Sequence, residues 1–123
     1  MPEVKPVRVE KPWGYELIWA RTGQYVGKIL HIHKGHALSL QYHRQKDETI
    51  HVLSGSMRFV TGAEGEELRE TLLGPGDSFH ITPLLRHRMI AESDCDILEA
   101  STPELDDVVR LEDSYGRAGT SAP

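Results

Sequence analysis

Residues 41–55, which read QYHRQKDETIHVLSG, and residues 74–88, which read GPGDSFHITPLLRHR, carry the pattern that decides the fold of this chain. Alternate residues of an extended strand share a face, so Gln41 and His43 point the same way. The polar residues 44–47 predict a hairpin turn, after which Glu48 opens the returning strand beside His43. His87 follows a second, glycine-rich turn. The two segments are therefore predicted to bring four ligand-type side chains together.

These four side chains, from Gln41, His43, Glu48 and His87, predict a site for one divalent metal ion. Nitrogen and oxygen donors from separate strands suit Mn, Zn, Fe, Co or Ni, and the neutral amide oxygen of Gln41 favours Mn or Zn over redox-active Fe. The alternative is that all four are ordinary polar strand residues that face solvent. Alternation with the apolar residues at 38, 40 and 42 is compatible with both interpretations.

The whole chain predicts an all-β fold, because short apolar runs are separated by glycine, proline and aspartate. Helical periodicity is scarce: only residues 104–112, opened by Pro103, suggest a short helix, and Asp106 and Asp107 could equally cap a turn. Strands without helices must close into a barrel or bury two sheets against each other, so the pattern predicts a sandwich or a barrel. A small double-sheet barrel of the jelly-roll kind satisfies this, and its open mouth would be a natural ligand pocket. The predicted strands are 15–19, 25–33, 38–43, 49–53, 56–61, 68–73, 78–81, 86–91 and 95–101.

Length and composition predict one domain over residues 1–123, with a core at about 11–117 and a frayed tail at 118–123. A formal net charge of −5 and the lack of a basic patch argue against a nucleic-acid partner. No stretch approaches the ~20 apolar residues of a membrane span. The single cysteine, Cys95, is expected to be buried and excludes an intrachain disulfide, which favours the cytoplasm.

The two segments resemble the two motifs of the cupin superfamily. Gly35, His43, Glu48 and Gly55 match the first motif, with Gln41 in place of its first histidine. The second motif is matched by the glycine turn at 74–77, then Pro83 and His87. That spacing favours the metal site over solvated strand residues. The resemblance implies a double-stranded β-helix, the jelly-roll barrel of cupins.

Three further stretches resemble the mannose-6-phosphate isomerase domain of type II phosphomannose isomerases. They are LSLQYH at 38–43, KPWGYE at 11–16 and LDDVVRLEDSYGR at 105–117. The resemblance implies a metal-dependent aldose–ketose isomerase, with mannose 6-phosphate and fructose 6-phosphate as the first substrate pair. Gln45, Thr49 and Ile50 depart from the family's histidine- and tryptophan-containing stretch, and the chain is too short to hold the nucleotidyltransferase domain of the bifunctional enzymes.

Several residues are candidates for binding and catalysis in such a reaction. Lys28 is the first choice for binding a substrate phosphate, and the resemblance implies an active-site role for Arg117. Arg88 and Lys46 are further cations expected at the barrel mouth. The general base is left open among His80, Glu16 and a metal-bound hydroxide.

Other functions remain open at this point: an isomerase of an unphosphorylated sugar, a cupin dioxygenase, or a non-catalytic sugar- or metal-binding module. The expected partner is a small sugar or sugar phosphate. Residues 2–11, with alternating valines, are expected to add a strand to a neighbouring subunit in a homodimer. His31 and His33 are expected to point outward, into a dimer interface or solvent rather than a second metal site.

Overall fold

The computed structural model describes residues 3–104 and 106–119, and in this part of the chain every regular element is a β-strand. All nine predicted strands are confirmed, with boundaries that shift by a few residues. The strands are β1 Val7–Lys11, β2 Gly14–Arg21, β3 Val26–Ile32, β4 Leu40–Tyr42, β5 Glu48–Ser54, β6 Met57–Gly62, β7 Arg69–Leu73, β8 Ser78–Ile81, β9 Arg86–Ala91, β10 Cys95–Ser101 and β11 Val109–Glu112.

The strands form two antiparallel sheets, as a jelly-roll fold requires. One sheet has the order β1-β2-β3-β10-β5-β8 and the other has the order β11-β4-β9-β6-β7. Side chains that alternate along each strand fill the space between the sheets. In β5, Ile50 and Val52 are fully buried, whereas Thr49, which precedes Ile50, is exposed. The core also contains Trp13, Leu30, Ile32, Phe59, Ile81 and Ile97. Cys95 is buried, as expected.

The prediction of a helix over residues 104–112 is wrong. Val109–Glu112 is strand β11, which pairs with β4 through Val109 opposite Tyr42 and Arg110 opposite Gln41. Strand pairing overrides the weak helical pattern, because β4 would otherwise present an unpaired edge. In the predicted tail, the Gly119 N–H donates to the Arg110 carbonyl at 3.0 Å, and residues 120–123 lie outside the described part.

The N-terminal segment forms the edge strand of the first sheet. A turn at Pro12 and Trp13 folds β1 back onto β2 of the same chain, with Val7 opposite Ile18 and Lys11 opposite Gly14. Pairing of β1 with a neighbouring subunit stays a prediction. Within residues 3–104 and 106–119 there is no helix that is long and apolar enough to cross a membrane.

The interior of the barrel changes from apolar to polar towards one end. Charged and polar side chains are buried there, on the inward faces of strands from both sheets or in the turn between β4 and β5. They are Lys28, His43, Lys46, Glu48, His87, Glu99 and Arg110, each with 6% or less of its surface exposed. Burying charge is costly unless it is paired, so this polar end is a site rather than part of the hydrophobic core.

Candidate metal centre

Three of the four predicted ligands meet at the polar end of the barrel. His43 lies at the end of β4, Glu48 opens β5 and His87 lies in β9, and their donor atoms are all within 4.8 Å of one another. Glu48 Oε2 is 3.4 Å from His43 Nε2, and Glu48 Oε1 is 3.8 Å from His87 Nε2. The carboxylate therefore lies between two imidazoles whose ring centroids are 5.1 Å apart.

Backbone carbonyls fix the tautomer of both histidines. His43 Nδ1 lies 2.6 Å from the carbonyl oxygen of Asp107, and His87 Nδ1 lies 2.9 Å from that of Leu85. A carbonyl oxygen can only accept a hydrogen bond, so each Nδ1 carries the proton and each Nε2 keeps its lone pair. This is the outer-shell support that metal-binding histidines usually have.

The three inward-facing atoms fit a metal ion. His43 Nε2 and His87 Nε2 are buried, and within the described residues neither has a hydrogen-bond partner, while Glu48 Oε2 lies between them and the ammonium of Lys46. Buried acceptors without a donor are costly, and a divalent cation would satisfy both nitrogens and pair with the carboxylate. The donor set of two nitrogens and carboxylate oxygen is suited to the ions that the sequence predicts.

Gln41, the fourth predicted ligand, lies directly opposite His87 in the pairing of β4 with β9. Its Oε1 accepts a hydrogen bond of 2.7 Å from the Ser39 hydroxyl, which orients the amide. Gln41 lines the same cavity as His43 and Glu48. An amide oxygen has two lone pairs, so this hydrogen bond leaves one lone pair for an ion.

Both the acid and one imidazole have the protonation state that metal binding requires. Burial lowers the pKa of His87 to about 4, although the negative charge of Glu48 opposes this shift. Burial alone would raise the pKa of Glu48, but the positive charge of Lys46 holds it well below its usual range. At neutral pH the imidazole of His87 is neutral and the carboxyl of Glu48 is ionised.

Lys46, expected as a cation at the barrel mouth, lines the cavity but is buried. Its Nζ is 3.0 Å from Glu48 Oε2 and 3.2 Å from Glu99 Oε2. Burial would lower the pKa of Lys46, but the charges of Glu99 and Glu48 raise it above its usual value, so the amine stays protonated. A fixed positive charge therefore lies beside the metal cluster.

The charge pairing continues from Lys46 along the cavity wall. Lys28 faces inward and is buried, with Nζ 3.8 Å from Glu99 Oε2 and 3.2 Å from Glu16 Oε1. The acids and lysines thus alternate from Glu48 at the metal cluster to Glu16 on the cavity wall. Sequence reasoning did not identify Glu99, because only the register of β10 between β3 and β5 places it opposite Lys28.

Asp107 holds the turn that carries these residues. Its carboxylate accepts hydrogen bonds from the backbone N–H groups of Arg44, Gln45 and Lys46, at 3.0, 2.6 and 2.9 Å. Those three hydrogen bonds lower the pKa of Asp107, although partial burial opposes them. The sequence suggested a capping role for this acid, but the turn that it caps lies about sixty positions earlier in the chain.

The cavity above the metal cluster has a volume of about 450 Å³ and contains several cations. Lys11, Lys28, Arg110 and Arg117 line it together with Glu16 and Glu99. Burial lowers the pKa of Lys11; Glu16 opposes this, and the nearby charges of Lys28, Arg117 and Arg110 add to it. Arg117 is held in place by Asp113, with Nη2 3.0 Å from Oδ1 and Nε 3.1 Å from Oδ2.

Two other candidates lie outside this cavity. His80 was considered as a base, but it projects from the outer face of β8 between the inward-facing Phe79 and Ile81, and its Nε2 is 2.6 Å from Asp47 Oδ1. Arg88 also faces outward: its Nε donates to the Leu38 carbonyl at 2.9 Å and its Nη2 to the Ser114 hydroxyl at 3.1 Å. Strand alternation explains both corrections.

The barrel and its two-motif histidine–glutamate cluster define the chain as a cupin. The family model described as "Cupin domain" matches residues 28–100, so the chain belongs to this family. Mannose-1-phosphate guanylyltransferase ManC from Salmonella typhimurium is 34% identical over 115 residues, which is 89% of this chain. The chain spans only 23% of the length of that protein.

Solved structures agree on the fold. KdgF from Halomonas sp. has a TM-score of 0.67 at 21% identity, over 79% of this chain and 87% of that one. The capsular polysaccharide assembling protein CapF from Staphylococcus aureus has a TM-score of 0.73 at 16% identity, over 88% of this chain and 34% of that one. An oxalate decarboxylase from Bacillus subtilis has a TM-score of 0.76 at 16% identity, over 86% of this chain and 30% of that one. Another structure of that enzyme is described by its Mn(II) centres.

Proposed function

We propose that this chain is a metal-dependent aldose–ketose isomerase that acts on a sugar phosphate, with mannose 6-phosphate and fructose 6-phosphate as the first pair to test. One observation carries the proposal: the cluster of His43, Glu48 and His87 adjoins, through His43 and Glu48, a cavity that also contains an acid–lysine chain and a group of cations. A ManC relative named for mannose 1-phosphate and a CapF neighbour named for polysaccharide assembly support a carbohydrate ligand.

Gln41, His43, Glu48 and His87 would hold the ion, with Mn or Zn preferred over Fe, Co and Ni. When bound, a divalent ion polarises the substrate carbonyl and stabilises the charge that develops on its oxygens. The Mn(II) centres named for the oxalate decarboxylase neighbour support a metal in this fold.

The reaction moves a proton between two neighbouring carbons of the sugar, which requires a base within hydrogen-bond reach. We assign this role to Glu16, which lines the cavity and whose Oε1 is 3.2 Å from Lys28 Nζ. Glu16 takes the proton from C2 of the open-chain aldose and returns it to C1, while the proton of the C2 hydroxyl moves to the oxygen on C1, so that the carbonyl passes from C1 to C2. Lys28 orients the carboxylate of Glu16, and the protonated Lys46 donates a hydrogen bond to a reacting oxygen of the sugar.

The phosphate group needs cations at the other end of the substrate. Three cations line the same cavity: Lys11, Arg110 and Arg117. They lie close together, since besides burial the charges of Arg117 and Arg110 lower the pKa of Lys11, and besides burial the charge of Arg117 lowers that of Arg110. Guanidinium groups match phosphate oxygens in a bidentate manner, so the two arginines suit this role.

We also propose that the protein works in the cytoplasm as a homodimer. A mass of two chains by light scattering would support the dimer.

The test is a coupled isomerase assay on mannose 6-phosphate, with metal-free protein reloaded separately with Mn, Zn, Co, Ni and Fe. We expect turnover that requires metal and is lost in His87→Ala. Because His87 is fully buried, Glu48→Gln provides a second variant of nearly unchanged shape. The matched control is His51→Ala, which should remain active. His51 faces outward, with its Nδ1 within hydrogen-bond distance of the Ser78 hydroxyl.

Stoichiometric metal binding without turnover on phosphorylated or free sugars would overturn the isomerase proposal. A tight sugar complex under those conditions would instead identify a non-catalytic binding module.

A further inference from the structure

A second group of metal-ligand side chains lies on the outer surface of the barrel. His31 in β3, His33 just after it and Asp94 before β10 have donor atoms that all lie within 4.8 Å of one another. Leu30 and Ile32, which alternate with the two histidines, are buried in the core. This outer cluster, defined as His31, His33 and Asp94, is therefore on the opposite face of the sheet from the barrel centre.

His31 is held in a defined orientation. Its Nδ1 lies 2.7 Å from Asp96 Oδ1, and its ring stacks on Tyr15 with centroids 5.0 Å apart. Asp96 is itself fixed, because its Oδ2 accepts a hydrogen bond of 3.1 Å from the Ser54 hydroxyl. When a carboxylate accepts the Nδ1 proton of a neutral imidazole, Nε2 keeps its lone pair, as in the carboxylate–histidine pairs behind many zinc ligands.

Asp94 is held in place from two sides. Its Oδ1 accepts a hydrogen bond of 2.7 Å from the backbone N–H of Lys34. Gly55, in the turn between β5 and β6, has φ of 85°, and a Cβ added there would lie 2.2 Å from the Asp94 carbonyl oxygen. A glycine at this position therefore permits the close approach that places Asp94 beside the histidines.

A third imidazole lies next to the cluster. The ring centroid of His36 is 6.3 Å from that of His33, and His36 Nδ1 is 2.6 Å from the Tyr115 hydroxyl. Two imidazole nitrogens and one carboxylate oxygen suit borderline transition metals such as Zn, Ni, Co or Cu, with water at the remaining positions because His33 and Asp94 are exposed.

We propose that His31, His33 and Asp94 form a second divalent transition-metal site, independent of the barrel centre and of the proposed isomerase activity. Asp96 is its positioning residue. The bound ion links the end of β3 to the segment before β10. The sequence alone favoured solvent or a dimer interface for the two histidines, because Asp94 and Asp96 lie more than sixty positions later in the chain.

The experiment is an isothermal titration of metal-free protein with Zn(II), followed by Cu(II) electron paramagnetic resonance for nitrogen coupling. Wild-type protein should bind two ions per chain and His33→Ala only one. His33 is exposed, so this substitution should not affect folding. His51→Ala, another outward-facing histidine of the same sheet, should still bind two ions. Asp96→Asn should weaken the second ion by about tenfold or more.

The barrel variant Glu48→Gln separates the two sites, since it should lose the inner ion and keep the outer one. The proposal would be overturned if the wild type bound one ion per chain and His33→Ala also bound one. It would also be overturned if His33→Ala bound two ions per chain. Neither result depends on turnover, so failure of the isomerase assay leaves this test intact.

Discussion

Asp107 supports the metal centre through both its backbone and its side chain: its carbonyl lies 2.6 Å from His43 Nδ1, and its carboxylate accepts three N–H groups of the turn at 44–46. One residue therefore orients a ligand and positions Lys46. The strand β11 begins two residues later and fixes Asp107 against β4.

Asp107→Ala should destabilise the protein by about 1–3 kcal/mol, because three backbone donors lose an ionised acceptor. It should also weaken metal binding by about tenfold or more, since the turn that follows His43 is no longer held and this candidate ligand loses its fixed orientation. Urea unfolding and a competition assay with a fluorescent chelator measure the two effects. Asp106→Ala, at the exposed neighbouring position, is the control and should change neither. Wild-type metal affinity in Asp107→Ala would contradict the supporting role.

The strands and most of the candidate ligand cluster could be predicted from the sequence because both follow local patterns. Alternation of apolar and polar residues marks β5 and β6 directly, and Gln41, His43 and Glu48 lie within eight positions of one another. Even His87 could be placed, because the glycine turn before it belongs to a recognisable motif.

What could not be predicted depends on pairing between distant segments. β11 alternates apolar and polar residues over only four positions, and it is Arg110 that is buried while Leu111 is exposed, so only its register with β4 identifies it as a strand. Lys46 reads as a turn residue, yet Glu48 and Glu99 provide the opposite charges that allow its burial. His80 and Lys28 were both candidates, and the direction in which each strand faces decided that only Lys28 lines the cavity.

Lys46→Met should separate metal binding from catalysis. Removing a positive charge 3.0 Å from a ligand oxygen should raise the metal affinity by about tenfold or more, because the lysine and the ion repel each other. Turnover should fall by about 100-fold, since a hydrogen-bond donor to the reacting sugar is lost. Without metal the variant should be less stable by about 3 kcal/mol, because Glu48 and Glu99 lose their cation.

Metal titration, steady-state kinetics and urea unfolding check these three effects. Lys34→Met, at an exposed position, is the control. A parallel loss of metal affinity and turnover in Lys46→Met would mean that the lysine is only structural.

The stability of the metal-free protein should fall as the pH decreases from about 6.5 to about 4. In this window the unfolded chain protonates His87 at its ordinary pKa of 6.5, whereas in the folded protein burial lowers that pKa to about 4. The folded state therefore binds fewer protons and loses up to roughly 3 kcal/mol, at about 1.4 kcal/mol per pKa unit. Glu48 acts in the same direction at lower pH, because its stabilising contribution is present above its ordinary pKa of 4.5 and is lost as the pH falls towards its depressed value.

Urea midpoints of metal-free protein at pH 7, 6, 5 and 4.5 measure this dependence. His87→Gln should flatten the curve between pH 6.5 and 4.5, whereas His51→Gln, at a half-buried position outside the cluster, should keep the wild-type slope. Parallel curves for wild type and His87→Gln would show that His87 does not titrate between the two states.

Arg117→Ala should raise the KM for mannose 6-phosphate by about 10–100-fold, because a hydrogen bond to a charged group contributes about 1.5–3 kcal/mol. The KM of Arg117→Lys should lie between those of the wild type and Arg117→Ala, since lysine keeps the charge but loses the bidentate contact with phosphate oxygens. Unphosphorylated mannose provides the comparison, and its binding by calorimetry should change little in either variant. Arg69→Ala removes an exposed arginine of β7 outside the cavity and should leave both sugars unaffected. Equal weakening of mannose and mannose 6-phosphate in Arg117→Ala would show that Arg117 shapes the cavity without binding the phosphate, and would favour an unphosphorylated sugar as the substrate.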